Sequence, residues 1–127
     1  MRTFKTKWFH RWAAKEGLSD TALAAAVQEM ESGLVDAQLG GHVVKKRVAL
    51  PGRGKSSSTR TLLAYQAGSK ALFVYGFAKN ERANIGDKEL KALKMLAMEL
   101  LDYQSAAMRK ATKAGELVEI IEAQDDD

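Results

Sequence analysis

Between Lys45 and Arg82 the chain carries Lys45, Lys46, Arg47, Arg53, Lys55, Arg60, Lys70, Lys79 and Arg82, against a single acid, Glu81. This run builds a local positive potential that the net charge of +4 understates. The matching partner is a polyanion, most commonly nucleic acid. A solvated basic face with no ligand is the plainer alternative, but surface lysines are ordinarily interspersed with acids. Residues of these types also suit one reaction, cleavage of RNA by its own 2′-hydroxyl. That reaction needs a base for the hydroxyl proton, positive donors for the charged phosphorane and an acid for the departing 5′-oxygen. A lysine serves as base only where neighbouring positive charge favours its neutral form, and Lys45, Lys46 and Arg47 supply such crowding. Arginine is a good phosphate donor and a poor acid.

Other chemistries fit less well. The chain has no cysteine, which removes disulfides, thiolate catalysis and cysteine-ligated zinc. His10 and His42 lie far apart with no third ligand at a familiar spacing, so neither a metal nor another cofactor is expected. No serine sits in a nucleophile elbow. The run Gly52-Arg53-Gly54-Lys55-Ser56 invites comparison with a phosphate-binding loop of the Walker A type. Ala49 stands where that motif needs glycine, and Thr59 onward reads as strand rather than helix. The glycines and bases of the run still suit contacts to a nucleic-acid backbone.

The elements that position these residues follow from pattern. Phe4, Trp8 and Trp12 recur every four residues and predict a first helix, stopped by Gly17. Leu18-Ser19-Asp20 predicts a second: Ser19 caps free amides, Asp20 suits the positive helix end, and Leu18 staples to Leu23. Leu23, Val27 and Met30 form its apolar stripe, and Gly33 ends it. From Val43 the period becomes that of a strand, with Val44, Lys46, Val48 and Leu50 on one face and Lys45 and Arg47 on the other. Pro51-Gly52 breaks it, and residues 53–58 read as a basic loop. Thr59 to Gln66 and Lys70 to Ala78 read as two further strands around the turn Ala67-Gly68-Ser69. The last of these is apolar enough to be covered on both faces. A final helix, capped by Asn84 or Asp87, keeps its period through Leu90, Leu93, Ala97, Leu100 and Leu101 and runs toward Lys113. The acidic end from Glu116 reads as a flexible tail that is either solvated or folded over the basic face.

The expected architecture is therefore α+β: two N-terminal helices, an antiparallel meander of three or four strands, and a C-terminal helix. The expected division is one domain over residues 1–113 and a tail over 114–127. No apolar run is long enough to cross a bilayer, and the basic N-terminus leads into Trp8, His10 and Arg11 rather than an apolar signal core. A cytoplasmic protein with no membrane partner is expected.

This order of elements, with Arg60 opening a strand and Val74-Tyr75-Gly76-Phe77-Ala78-Lys79-Asn80-Glu81-Arg82-Ala83-Asn84-Ile85 closing the next, resembles the RelE/HigB/ParE superfamily of bacterial toxins. It is most similar to the HigB-type branch of RelE-like toxins, which has a Gly-Lys-Ser loop. The resemblance covers residues 1–110 in topology. It implies a toxin of a type II toxin–antitoxin system, a metal-free, ribosome-dependent mRNA endonuclease that inhibits translation and is neutralised by a cognate antitoxin. Lys45 and Arg47 match the alternating basic residues of the family's strand. Arg60 matches the arginine opening the next strand, and Lys79 and Arg82 match the basic cluster after the last one. The main arginine of that cluster falls here on Asn80, and the family's base-stacking tyrosine falls close to Gly86. The candidate catalytic residues are Lys45 or Lys46 as base, with Arg47, Arg60 and Arg82 on the phosphate. Arg53, Lys55, Lys79 and Asn80 are candidate RNA contacts. Two other readings keep the basic run: a ParE-like or degenerate member acting by binding gyrase or nucleic acid, and a basic structural protein of ribosome or nucleoid. Gyrase inhibition with intact mRNA marks the first of these; toxicity relieved by an adjacent gene product argues against the second.

Overall fold

The computed structural model describes residues 1–50 and 59–121. The chain opens with a strand, β1 (Arg2–Thr6), and enters α1 (Lys7–Glu16) directly, the Thr6 hydroxyl accepting the Phe9 N–H at 3.2 Å. This corrects the expected helix through Phe4. Trp8 and Trp12 do stack on the helix, while Phe4 lies buried on the strand. The strand is hard to see in the sequence because Lys5, which reads as a surface residue, is 4% exposed and ion-paired to Asp20 at 2.6 Å. Burial of a charge is tolerable only with such a partner.

The boundary between the first two helices is as expected. Gly17 ends α1 in the left-handed region (φ 81°). The Ser19 hydroxyl accepts the Ala22 N–H at 3.1 Å to start α2 (Asp20–Glu31), and Leu18 and Leu23 are buried in one cluster. A short strand not foreseen, β2 (Ala37–Gly40), then pairs with β3 (Val43–Val48) through a turn in which Gly40, Gly41 and His42 all have positive φ. β4 (Thr59–Gln66) and β5 (Lys70–Ala78) complete the expected antiparallel meander.

The expected long C-terminal helix is two. α3 (Asp87–Leu101) stops at Asp102, and α4 (Ser105–Lys113) starts after Gln104. The break lets Met108 and Ala111 return to the cluster that holds Ala97 and Leu100, where one straight rod would leave the sheet. The α3 cap position is Gly86, one residue before Asp87, and Asn84 lies outside the helix. Gly115 (φ 79°) then turns the chain into β6 (Leu117–Ile120), antiparallel to β1. The expected flexible tail from residue 114 is thus in part a sheet strand; residues 122–127 lie outside the described residues.

The sheet has six strands in the order β2-β3-β4-β5-β1-β6, mixed because β1 runs parallel to β5. α1 and α2 pack on one face around Phe9, Leu23, Val27, Leu63 and Phe73. α3 and α4 pack on the other around Phe4, Leu62, Leu72, Ala97 and Leu100. The result is α+β with four helices among the described residues.

Candidate nucleic-acid interface

β3 separates its three bases by alternation. Lys46 points to the α2 side, where it is 6% exposed, pairs with Glu29 at 2.7 Å and donates to the Leu34 carbonyl at 3.0 Å. Lys45 and Arg47 point to the opposite face. The two candidate bases therefore do not share a site, and only Lys45 joins the arginines. Among the described residues Lys45 forms no ion pair.

Cross-strand register assembles the rest. Arg47 lies opposite Arg60, and Arg60 lies opposite Phe77, so one row crosses β3, β4 and β5. The adjacent row on the same face is Lys45, Leu62 and Tyr75. Like charges directly opposite each other are unfavourable, and Asp36 offsets the charge of Arg47. Its carboxylate accepts the Arg47 backbone N–H at 2.6 Å and the Arg47 Nε at 3.2 Å. Burial pushes the Asp36 carboxyl up, but those two hydrogen bonds and the charges of Arg47 and Lys46 hold it below its ordinary value.

A β-bulge sets which β5 residues reach this face. Leu63 opposes Phe73 and Leu62 opposes Tyr75, which leaves Val74 as the extra residue. The two faces therefore exchange partway along β5. Phe73 packs with Phe9 in the α1–α2 core, whereas Tyr75 packs on the α3 side. Gly76 is turned to α1, where its α-carbon lies so close to Trp12 that an added Cβ would sit 2.2 Å from the ring. Phe77 returns to the basic face.

Arg82 comes to the same place from the turn after β5. Its guanidinium lies 5.7 Å over the Phe77 ring. Nε donates to the Asn84 carbonyl at 2.9 Å, and Nη1 donates to the Tyr75 hydroxyl at 3.4 Å. Both terminal nitrogens reach the Glu89 carboxylate, Nη1 at 3.0 Å and Nη2 at 2.5 Å. The hydrogen bond to Glu89 raises the Arg82 pKa above its ordinary value. Arg82 in turn, with the Gly86 N–H, holds the Glu89 carboxyl below its own. Glu89 was not foreseen as part of the site. Its one sequence signal is its position three residues after the helix cap, where acids are favoured for capping alone.

Lys79 and Asn80 are exposed on the turn that leads to Arg82. Lys70 is at the far end of β5, donating to the Tyr103 carbonyl at 2.8 Å, and takes no part. Arg53 and Lys55, with the Gly52–Ser56 run, lie outside the described residues. Among the described residues no three of His, Asp or Glu gather as a metal site. Lys45, Arg47, Arg60 and Arg82 thus form a cationic surface around the half-buried Tyr75, backed by the buried ring of Phe77, an arrangement suited to phosphate contacts.

A family model described as the RelE toxin of the RelE/RelB toxin–antitoxin system matches residues 1–120. A search of curated proteins returns no significant match.

Proposed function

Because the chain belongs to the RelE toxin family, and so is a toxin with an antitoxin partner, we propose that it is a metal-free, ribosome-dependent mRNA endonuclease acting in the cytoplasm. The Val74–Ile85 run supports its placement in the HigB-type branch. The observation that carries the enzymatic reading is the register of Arg47 with Arg60, with Lys45 beside them on the same face.

In this reading mRNA lies across β3 and β4. The Lys45 amine takes the proton of a 2′-hydroxyl, whose oxygen attacks the adjacent phosphorus and closes a 2′,3′-cyclic phosphate as the P–O5′ bond breaks and the departing 5′-oxygen takes a proton from water. Arg47 and Arg60 donate to the non-bridging oxygens as negative charge grows on them, the interaction that lowers the barrier most. Arg82 approaches the phosphate from the β5 end, and Lys79 and Asn80 contact the flanking backbone. Lys46 holds α2 to the sheet and does not touch RNA.

The test is incubation with translating ribosomes and mapping of mRNA ends. Wild type cuts and Arg60→Ala loses about 100-fold or more in rate, the loss typical of one oxyanion donor. If wild type cuts nothing where a control toxin cuts, the enzymatic reading falls; if Arg60→Ala cuts as well as wild type, the site is elsewhere.

One observation favours a second reading. Arg82 is engaged on all three nitrogens by Glu89, Asn84 and Tyr75, as expected of a residue kept for structure. A ParE-like toxin that acts by binding needs no free catalytic arginine. Inhibition of gyrase supercoiling with mRNA left intact would select it.

A further inference from the structure

The first fifteen residues hold five bases, Arg2, Lys5, Lys7, Arg11 and Lys15, and no acid. Two of these are paired, Arg2 to Glu119 and Lys5 to Asp20. The other three sit on α1 at spacings of four and are all exposed. Like charges four apart repel along a helix, and among the described residues none of the three has an ion-pair partner to offset this. At 100° per residue, Lys7, Arg11 and Lys15 fall within one quadrant of the helix, and Trp8 lies at its border. Trp8 is 47% exposed, an unusual position for so large an apolar ring on a helix that buries Phe9 and Ala13.

Trp8 joins this stripe to the site already described. Its ring stacks on Tyr75 with centroids 4.8 Å apart and planes 18° from parallel. The Tyr75 hydroxyl is the one that Arg82 reaches. Tyr75, in the row next to that of Arg47 and Arg60 on the sheet face, thus meets Trp8, which sits on the helix that carries Lys7, Arg11 and Lys15. We propose that the exposed face of α1 is a second RNA-binding segment, on which Trp8 stacks an unpaired base and Lys7, Arg11 and Lys15 hold the phosphates that follow. Alternation of a cationic track with exposed aromatic rings is what single-stranded nucleic acid requires, because every base has a π-face and duplex bases are not free to stack. The eight steps from Lys7 to Lys15 advance about 12 Å along the helix, enough for a few nucleotides. The inference rests on RNA being the ligand of the sheet face, and its test separates the two.

The experiment measures binding of a labelled single-stranded dodecamer RNA to the full chain over a range of salt. Five proteins are compared: wild type, Trp8→Ala, Trp8→Phe, the triple variant Lys7→Gln/Arg11→Gln/Lys15→Gln, and Arg47→Ala/Arg60→Ala. Trp8→Ala is expected to weaken binding about tenfold, within the range for loss of one stacked base. The triple variant, whose residues are all exposed, keeps the fold and flattens the log–log salt slope by about 2, at about 0.7 for each phosphate that it no longer neutralises. Trp8→Phe, which retains a ring against Tyr75, restores most of the loss. If the Trp8 and triple variants match wild type while the Arg47/Arg60 variant loses affinity, the α1 segment is refuted and the sheet site stands. The same holds if Trp8→Ala loses as much affinity for duplex as for single-stranded RNA, since stacking on an unpaired base then contributes nothing. If wild type binds no RNA, both readings fall together.

Discussion

Lys45 and Lys46 are neighbours with the same side chain, and the pleat gives them opposite work. Lys46→Met is expected to lower stability by about 1–2 kcal/mol, less than a fully buried pair would cost because Glu29 is 56% exposed, and to leave mRNA cleavage intact. Lys45→Met should do the reverse, abolishing cleavage with an unchanged denaturation midpoint. Paired urea melts and end-mapping on the two variants check this; similar cleavage losses in both would show that the strand, not one face of it, matters. Asp36 makes a second prediction at this scale. Its carboxyl titrates below its ordinary value when folded, so its contribution to stability is complete above the unfolded pKa of about 3.9. That contribution is lost as pH falls through the lower folded value. Asp36→Asn should therefore be about 1 kcal/mol less stable than wild type at neutral pH, and the gap should close in acid. A gap that persists unchanged at about pH 2 would contradict the assignment. The separation of Lys45 from Lys46 was legible in the alternation of the strand. The clamp by Asp36 was not, because it depends on β2, whose four residues carry no strong strand signal.

Element geometry decides which aromatic residues reach the basic face. Without the bulge at Val74, Tyr75 would follow Phe73 into the α1–α2 core and Gly76 would face the bases. Gly76→Ala tests this arrangement, since its new methyl would meet the Trp12 ring at 2.2 Å. A loss of about 1–3 kcal/mol is expected, the usual cost of overpacking, with a shift in tryptophan fluorescence; a neutral substitution would mean that α1 sits farther from β5. The sequence revealed α2, β3, β4 and β5 almost to the residue, because their apolar periods are clean and their ends carry Gly17, Ser19 and Gly68. It concealed β1, where a buried lysine and a Phe–Trp–Trp spacing imitate a helix, and β6, whose Glu119 and acidic surroundings imitate a tail. Removal of residues from Glu116 onward takes β6 out of the sheet and should unfold much of β1, whereas removal from Glu122 leaves both strands intact. Thermal melts of the two truncations distinguish these outcomes, and equal melting temperatures would contradict the place of β6 in the sheet.

At the scale of the molecule, charge is segregated. Outside residues 41–82 the acids outnumber the bases, yet α1 adds a basic face of its own beside the site. Binding to RNA should accordingly fall steeply with ionic strength, by about 300-fold between roughly 50 and 200 mM salt if about six phosphates of a single strand are contacted. Acidic side chains on the antitoxin that the family implies would complement this potential. The central claim is that Lys45, Arg47 and Arg60 promote attack by the RNA's own 2′-hydroxyl. The chemistry of the cut ends tests this most directly. Messenger RNA recovered from translating ribosomes treated with the protein should carry 5′-hydroxyl ends opposite 2′,3′-cyclic phosphates, and these should vanish with Arg60→Ala. Ends bearing a 5′-phosphate and a free 3′-hydroxyl would contradict it, because they come from attack by water rather than by the neighbouring ribose.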